Sequence, residues 1–245
     1  AVNVAPTLTL AGDATVRAHP ADAPLVGHDR SAWDGMIARR ETLYEQWGVP
    51  ASARTELLAF LDAHEEYTGA TPDVEPIEAG DRLAVGDASL EVLHLPGHTA
   101  GLVGFALDHQ DGPELYSSDA LLPRYTPNVG GADVRVDEPL RTYLATLERI
   151  VDGEFAVARP GHRGPIDDPT GRARDIAVHH HDRMWKVVSI LDSHGPATAW
   201  EVSAHLFGDL AGIHILHGPG EAYAHLDHLE SSGVVTREDG RYALP

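Results

Sequence analysis

Leu95-Pro96-Gly97-His98-Thr99-Ala100-Gly101 is the stretch that decides the fold: a histidine in a tight turn directly after an apolar run. Two words of the same kind come later in the chain, Ser117-Ser118-Asp119-Ala120 and Arg159-Pro160-Gly161-His162. Each ends a short apolar segment with one metal-competent side chain. A glycine ahead of His98 and of His162 lets the backbone turn sharply and aim the imidazole. Zinc takes about four ligands, and a catalytic site leaves one position open for water. Neutral imidazole and carboxylate both suit that ion, and the two oxygens of a carboxylate can bridge a pair of ions. Histidine, carboxylate and histidine at strand ends therefore read as part of a metal site at one edge of a β-sheet.

Outward from these words the pattern alternates between strands and helices. Residues 14–19 read as a strand stopped by Pro20, and residues 31–47 and 55–67 as two amphipathic helices covering a sheet edge. Short strands are expected over 81–85, 88–95, 101–107 and 114–117, with turns at Gly86-Asp87 and Asp111-Gly112-Pro113. Leu140, Leu144, Leu147 and Ile150 share one face of a helix over 140–151, and a last strand over 155–158 leads into Pro160-Gly161-His162. Strands bracketed by helices indicate a layered α/β sandwich. The loop 165–171 reads as a hinge. Beyond it come a long helix over 173–192, a second over 198–207 with Thr198 and Glu201 as a capping box, a third over 221–232, and a hairpin around Glu238-Asp239-Gly240. Three helices and a two-stranded wing give the order of a winged-helix module, so two domains are expected, 1–170 and 171–245.

Composition narrows the chemistry. The 245 residues contain no cysteine, which excludes disulfides, thiolate ligands and a cysteine nucleophile. Any metal must be held by carboxylates and some of the 16 histidines. The formal charge of −20 arises from 38 acidic against 18 basic residues, and Lys186 is the only lysine. Such a surface repels phosphate backbones and anionic membranes, and it resembles the surfaces of proteins from salt-loving organisms; a high-GC genome is the alternative source of the same bias. No apolar run approaches the ~20 residues that span a bilayer, and the first residues lack a secretory signal, so a cytoplasmic protein is expected. From residue 183 onward Arg183, Lys186, Arg237 and Arg241 are outnumbered two to one by acids. This module is therefore expected to pack or to form a homodimer, not to bind DNA. There is no G-x-S-x-G elbow, P-loop or dinucleotide fingerprint.

Pro96-Gly97-His98-Thr99-Ala100-Gly101, Ser118-Asp119-Ala120 and Pro160-Gly161-His162 together resemble the third, fourth and fifth metal motifs of the metallo-β-lactamase fold superfamily. The resemblance covers about residues 10 to 170. It implies an αββα sandwich in which His98 binds the first zinc, Asp119 bridges both ions and His162 binds the second. Residues 173–245 are similar to the winged-helix-like tail of the hydrolase branch related to lactamase-β-like-2 endoribonucleases and glyoxalase II. Ser118 stands where that family usually has glycine. The family's histidine-any-histidine-any-aspartate-histidine cluster is not in this sequence, and its usual place falls at or just before Ala1. The fold is thus expected to lack its first strands, and the chain to be the C-terminal part of a longer hydrolase.

The function implied by the resemblance is a zinc-dependent hydrolysis of an ester, thioester or phosphodiester, in which no side chain is catalytic beyond the metal-bound water. Each ion would keep one histidine and a share of Asp119, fewer than a catalytic zinc normally has, so activity is expected to be impaired in this chain. The substrate is expected to be a small molecule; nucleic acid is disfavoured by charge, with RNA left open by the family branch. The alternative is a non-catalytic scaffold or binding protein that has lost its metal cluster. Among the other histidines, His94 reads as a packed or supporting residue and His179-His180-His181 as a solvated helix face; His225 and His228, three apart on one helix face, have chelating spacing but are not read as a metal site.

Overall fold

The structure is a computed structural model that describes residues 15–62 and 71–245. Along the chain run β1 (Val16–Ala18), α1 (Ala23–Val26), α2 (Arg30–Gln46), α3 (Ala51–Asp62) and β2 (Val74–Pro76). The start of the strand expected at 14 and the end of the helix expected at 67 lie outside the described residues. β1 and β2 pair in parallel, Val16 opposite Val74. Then come β3 (Arg82–Val85), β4 (Ala88–His94), β5 (Val103–Leu107) and β6 (Glu114–Ser118), followed by α4 (Pro139–Asp152) and β7 (Val157–Pro160). These strands form one sheet in the order β3-β4-β5-β6-β7.

The first three joins are antiparallel and need only short turns, whereas β6 and β7 run parallel and need a crossover, which α4 supplies. Period-two patterning selects the buried face: in β6 Leu115 and Ser117 point inward and Tyr116 outward. Pro139 occupies the first turn of α4, where its missing N–H costs nothing. Leu140, Tyr143, Leu147 and Ile150 are then all buried on one face of that helix.

The remainder is α5 (Pro169–His194), α6 (Ala199–Phe207), α7 (Ile213–Ser231) and a hairpin of β8 (Thr236–Glu238) and β9 (Arg241–Ala243). The Thr198–Glu201 capping box is formed in both directions, at 3.2 Å and 2.8 Å. A mixed α/β fold with a sheet core and seven helices among the described residues is the result. None of these helices is long and apolar enough to cross a membrane.

Four local expectations change. The loop 165–171 is no hinge: Ile166 exchanges two backbone hydrogen bonds with Ala158 of β7, and Pro169 already begins α5, capped by the Asp168 carboxylate. Helices α2 and α3 do not cover a sheet edge. They lean on the C-terminal helices, with Trp47 stacked on Tyr223 at 5.0 Å, the Trp200 N–H donating to the Trp47 carbonyl, and the Gly212 N–H donating to Glu56.

Helix α7 begins eight residues before the expected 221, because Gly218-Pro219-Gly220 does not break it. Pro219 removes a single ladder hydrogen bond. Gly220 lets the helix backbone lie directly on Gly130 and Gly131, a contact that any side chain there would prevent. Finally, His179-His180-His181 is a solvated face only in part: His181 is exposed and His179 half-buried, but the middle ring turns inward. His180 is fully buried in the stripe of α5 that also contains Ile176, Met184 and Val187.

Candidate metal centre

The three sequence words meet at one end of the central sheet. His98 sits in the turn between β4 and β5, closed by the Leu95 N–H donating to the Leu102 carbonyl. Gly97 has φ +137°, and a β-carbon there would lie 2.6 Å from that of Tyr143, so the turn is pressed flat on α4. The same helix ties the turn down through Thr146, whose hydroxyl donates to the Pro96 carbonyl at 2.7 Å. Tyr143 holds the next word through its hydroxyl, which donates to the Ala120 carbonyl at 2.9 Å.

Asp119 follows a register shift at the end of β6. Ser118 has φ +49°, a left-handed conformation that favours glycine and that explains why glycine suits the position. The Gly161 N–H donates to the Ser118 carbonyl at 2.9 Å, which brings the β7 turn against the β6 turn. A β-carbon at Gly161 would meet Asp119 Oδ1 at 2.9 Å, so the close approach needs glycine.

His98 Nε2 lies 3.9 Å and His162 Nε2 3.5 Å from the same oxygen, Asp119 Oδ2. Neither distance is a hydrogen bond. Both are near the ~3.4 Å that separates two ligands of one tetrahedral ion bound at about 2.1 Å each. His98 Nδ1 lies 2.9 Å from the Asn128 carbonyl. A carbonyl only accepts, so the proton of the neutral ring sits on Nδ1 and Nε2 is a bare lone pair facing Asp119. Asp119 Oδ1 is buried with no hydrogen-bond partner among the described residues. The donor chemistry thus fits a metal held at Asp119 Oδ2 with either imidazole. The ligand count is short, because among the described residues no three His, Asp or Glu side chains gather into a cage for one ion.

A second set of residues holds the His98 turn and carried no signal in the sequence. Asp22, just before α1, accepts from the Thr99 hydroxyl at 2.8 Å and from the Gly101 N–H at 3.1 Å. Asp133 accepts from the Ala100 N–H at 2.9 Å. Arg135 lies between the two carboxylates, 2.6 Å from each. Burial alone pushes the Asp133 carboxyl up, but hydrogen bonds from Arg135 and from the Ala100 N–H outweigh it and hold the group below its ordinary range.

His94 supports the turn as a packed residue: it stacks on His19 at 4.0 Å, and its Nε2–H donates to the Ala100 carbonyl at 2.9 Å. His225 and His228 do not act as a chelating pair. His225 is buried and lies 3.2 Å from His180, and burial holds both rings well below the ordinary imidazole range. His217 stands close enough to His98 to be influenced by it, although burial is the larger reason that its imidazole is also held low.

No protein-family model matches the chain. The chain is 28% identical over 133 residues to the Beta-lactamase-like protein 2 homolog of Caenorhabditis elegans, covering 54% of this chain and 42% of that protein. It is 44% identical over 46 residues to hydroxyacylglutathione hydrolase of Hahella chejuensis, covering 19% of this chain and 18% of that protein. A solved metallo-β-lactamase family protein of Thermus thermophilus matches 99% of this chain and 75% of its own, with a TM-score of 0.80 and 29% identity. The chain therefore spans under half the length of its nematode relative and three quarters of the bacterial structure.

Proposed function

The chain belongs to the metallo-β-lactamase superfamily, and we propose that it carries the C-terminal portion of a zinc-dependent hydrolase acting on an ester, thioester or phosphodiester. The observation that carries this reading is the convergence of His98 and His162 on one oxygen of Asp119. In this reading His98 and His162 would hold metal through Nε2, with Asp119 the carboxylate that both approach. When bound, zinc supplies Lewis acidity and a water acidified towards neutrality. The protein's own part is orientation: the Asn128 carbonyl fixes the His98 tautomer, and Asp22, Asp133 and Arg135 hold the turn that presents it.

Likeness to hydroxyacylglutathione hydrolase, named for a substrate whose acyl group is carried on a thiol, favours the thioester among the three substrate classes. The formal charge of −20 favours a small molecule over RNA. Residues 1–170 form the hydrolase part in this reading, and residues 171–245 a winged-helix-like packing module. Ligands beyond His98, Asp119 and His162 come from chain or partner outside the described residues.

The test is metal analysis of the purified chain, followed by assays of thioester, ester and phosphodiester substrates with zinc added. Zinc binding that Asp119→Asn weakens is expected, with a turnover impaired by the short ligand set and abolished in that variant. A chain that neither binds zinc nor hydrolyses any of the three overturns the reading. A second reading, a non-catalytic binding protein on the same scaffold, is favoured by the absence of a three-ligand group among the described residues. Stoichiometric zinc with turnover excludes it.

A further inference from the structure

The residue that presents the His98 acceptor is itself held from the far side of the molecule. Asn128 is anchored at both ends of its side-chain amide. Its Oδ1 accepts from the Ala132 N–H at 2.9 Å, and its Nδ2 donates to Glu221 Oε2 at 3.2 Å and to the His217 carbonyl at 3.3 Å. Both of the latter groups belong to α7. The other oxygen of Glu221 receives the Arg183 guanidinium from α5. The Glu221 carbonyl accepts from His225 Nδ1–H at 2.7 Å. Glu221 is 8% exposed.

A carboxylate this deeply buried is costly, and an apolar residue of similar size would cost less. Its two oxygens are divided between a cation and the amide whose own backbone carbonyl meets His98. We propose that Glu221 is a positioning residue for His98: acting through Asn128, it fixes the carbonyl that binds His98 Nδ1–H and so keeps Nε2 bare and aimed at Asp119. The helical module thus acts on the candidate metal centre through one side chain. The inference rests on the reading of His98 as a metal ligand. Partners of a ligating imidazole's second nitrogen fix its tautomer and affect metal affinity by about 10- to 100-fold.

The test reads the His98 tautomer by nitrogen-15 imidazole NMR on the zinc-free 245-residue chain at about pH 8, above the ordinary imidazole range. The unaltered chain is expected to hold His98 as a single Nδ1–H tautomer. Glu221→Ala and Asn128→Ala are expected to give a mixture of tautomers and about tenfold weaker zinc binding by titration. Glu221→Gln keeps an oxygen for Asn128 while losing the charge that faces Arg183. It is therefore expected to retain the single tautomer even though its melting temperature falls.

A role confined to the Arg183 ion pair would make Glu221→Gln behave like Glu221→Ala, and that result overturns the proposal. So does a single Nδ1–H tautomer in folded Glu221→Ala or Asn128→Ala. Asn128→Ala leaves the backbone carbonyl in place and removes no charge, so it carries the test if Glu221→Ala does not fold. Zinc titration of His98→Ala separates the two levels. Unchanged affinity there removes His98 as a ligand, while the tautomer comparison still decides the role of Glu221.

Discussion

Gly220 and Gly131 meet backbone to backbone: a β-carbon on Gly220 would lie 2.3 Å from the Gly131 α-carbon and 2.4 Å from the Gly130 carbonyl oxygen. Backbone cannot swing aside as a flexible side chain can, so Gly220→Ala must push α7 off the loop that carries Asn128. A loss of about 3 kcal/mol is expected in urea unfolding, at the upper end of overpacking costs. Gly35→Ala is the control. Gly35 is exposed in the middle of α2 with nothing within 4 Å of an added methyl, and a gain of about 0.5–1 kcal/mol is expected there.

Acid sensitivity should arise between α5 and α7. The Glu221 carbonyl only accepts, so His225 carries its proton on Nδ1, and His180 Nδ1–H donates to His225 Nε2. Both rings are therefore neutral in the fold, held there first by burial and then by neighbouring positive and imidazole groups. Their folded-state pKa values are lowered, so the unfolded chain binds more protons below about pH 6.5, and stability falls as the pH drops through that range. For two protons the slope approaches about 2.7 kcal/mol per pH unit. Unfolding at pH 8, 6 and 5 measures it. An unchanged slope in His180→Phe/His225→Leu would show that the pair is not its source.

Arg135 should stabilise the His98 turn more than an exposed ion pair does. Its Asp133 partner has a side chain only 5% exposed, and Asp22 is 20% exposed. Arg135→Ala leaves Asp133 buried without its cation, and a loss of about 2–3 kcal/mol is expected. Arg135→Lys should recover little of it, because an ammonium does not reproduce the fork that reaches both carboxylates. Asp133 is held below its ordinary range, so this contribution is present above about pH 4 and is lost as the pH falls further. Denaturant midpoints at pH 7 and 3.5 test both statements; equal losses for Arg135→Ala at the two pH values would contradict the second.

Asp119→Asn should separate stability from metal response. The carboxylate keeps a buried oxygen without a partner among the described residues, so the neutral amide should raise the stability of the metal-free chain by about 0.5–1 kcal/mol. Zinc at one hundred times its dissociation constant should stabilise the unaltered chain by about 2.7 kcal/mol and the variant by almost nothing. Melting curves with zinc and with a chelator report both effects. An equal zinc response in the two proteins would remove Asp119 from the ligand set.

The parts of this protein legible in its sequence are the local ones. The Gly97-His98, Ser118-Asp119 and Gly161-His162 turns can be located because their glycine and positive-φ requirements lie within a few residues of the ligand. The Thr198–Glu201 capping box and the buried face of α4 span four and eleven positions of the chain, within reach of local patterning. Gly218-Pro219-Gly220 misleads for the converse reason. Taken locally it is a helix breaker, and only its contact with Gly130 and Gly131 makes it helical interior.

Pairings between distant segments are of another kind. His98 meets Asn128 across 30 residues, Asn128 meets Glu221 across 93, and Arg135 meets Asp22 across 113. No spacing rule links such positions, because a hydrogen bond depends on where two elements pack and not on their order in the chain. The burial of His180 has the same origin: a polar residue on a helix stripe becomes core only when another helix brings His225 to meet it. Local sequence thus specifies which side chains stand at the sheet edge. Packing specifies what holds them there, because the groups that orient a side chain are its neighbours in space.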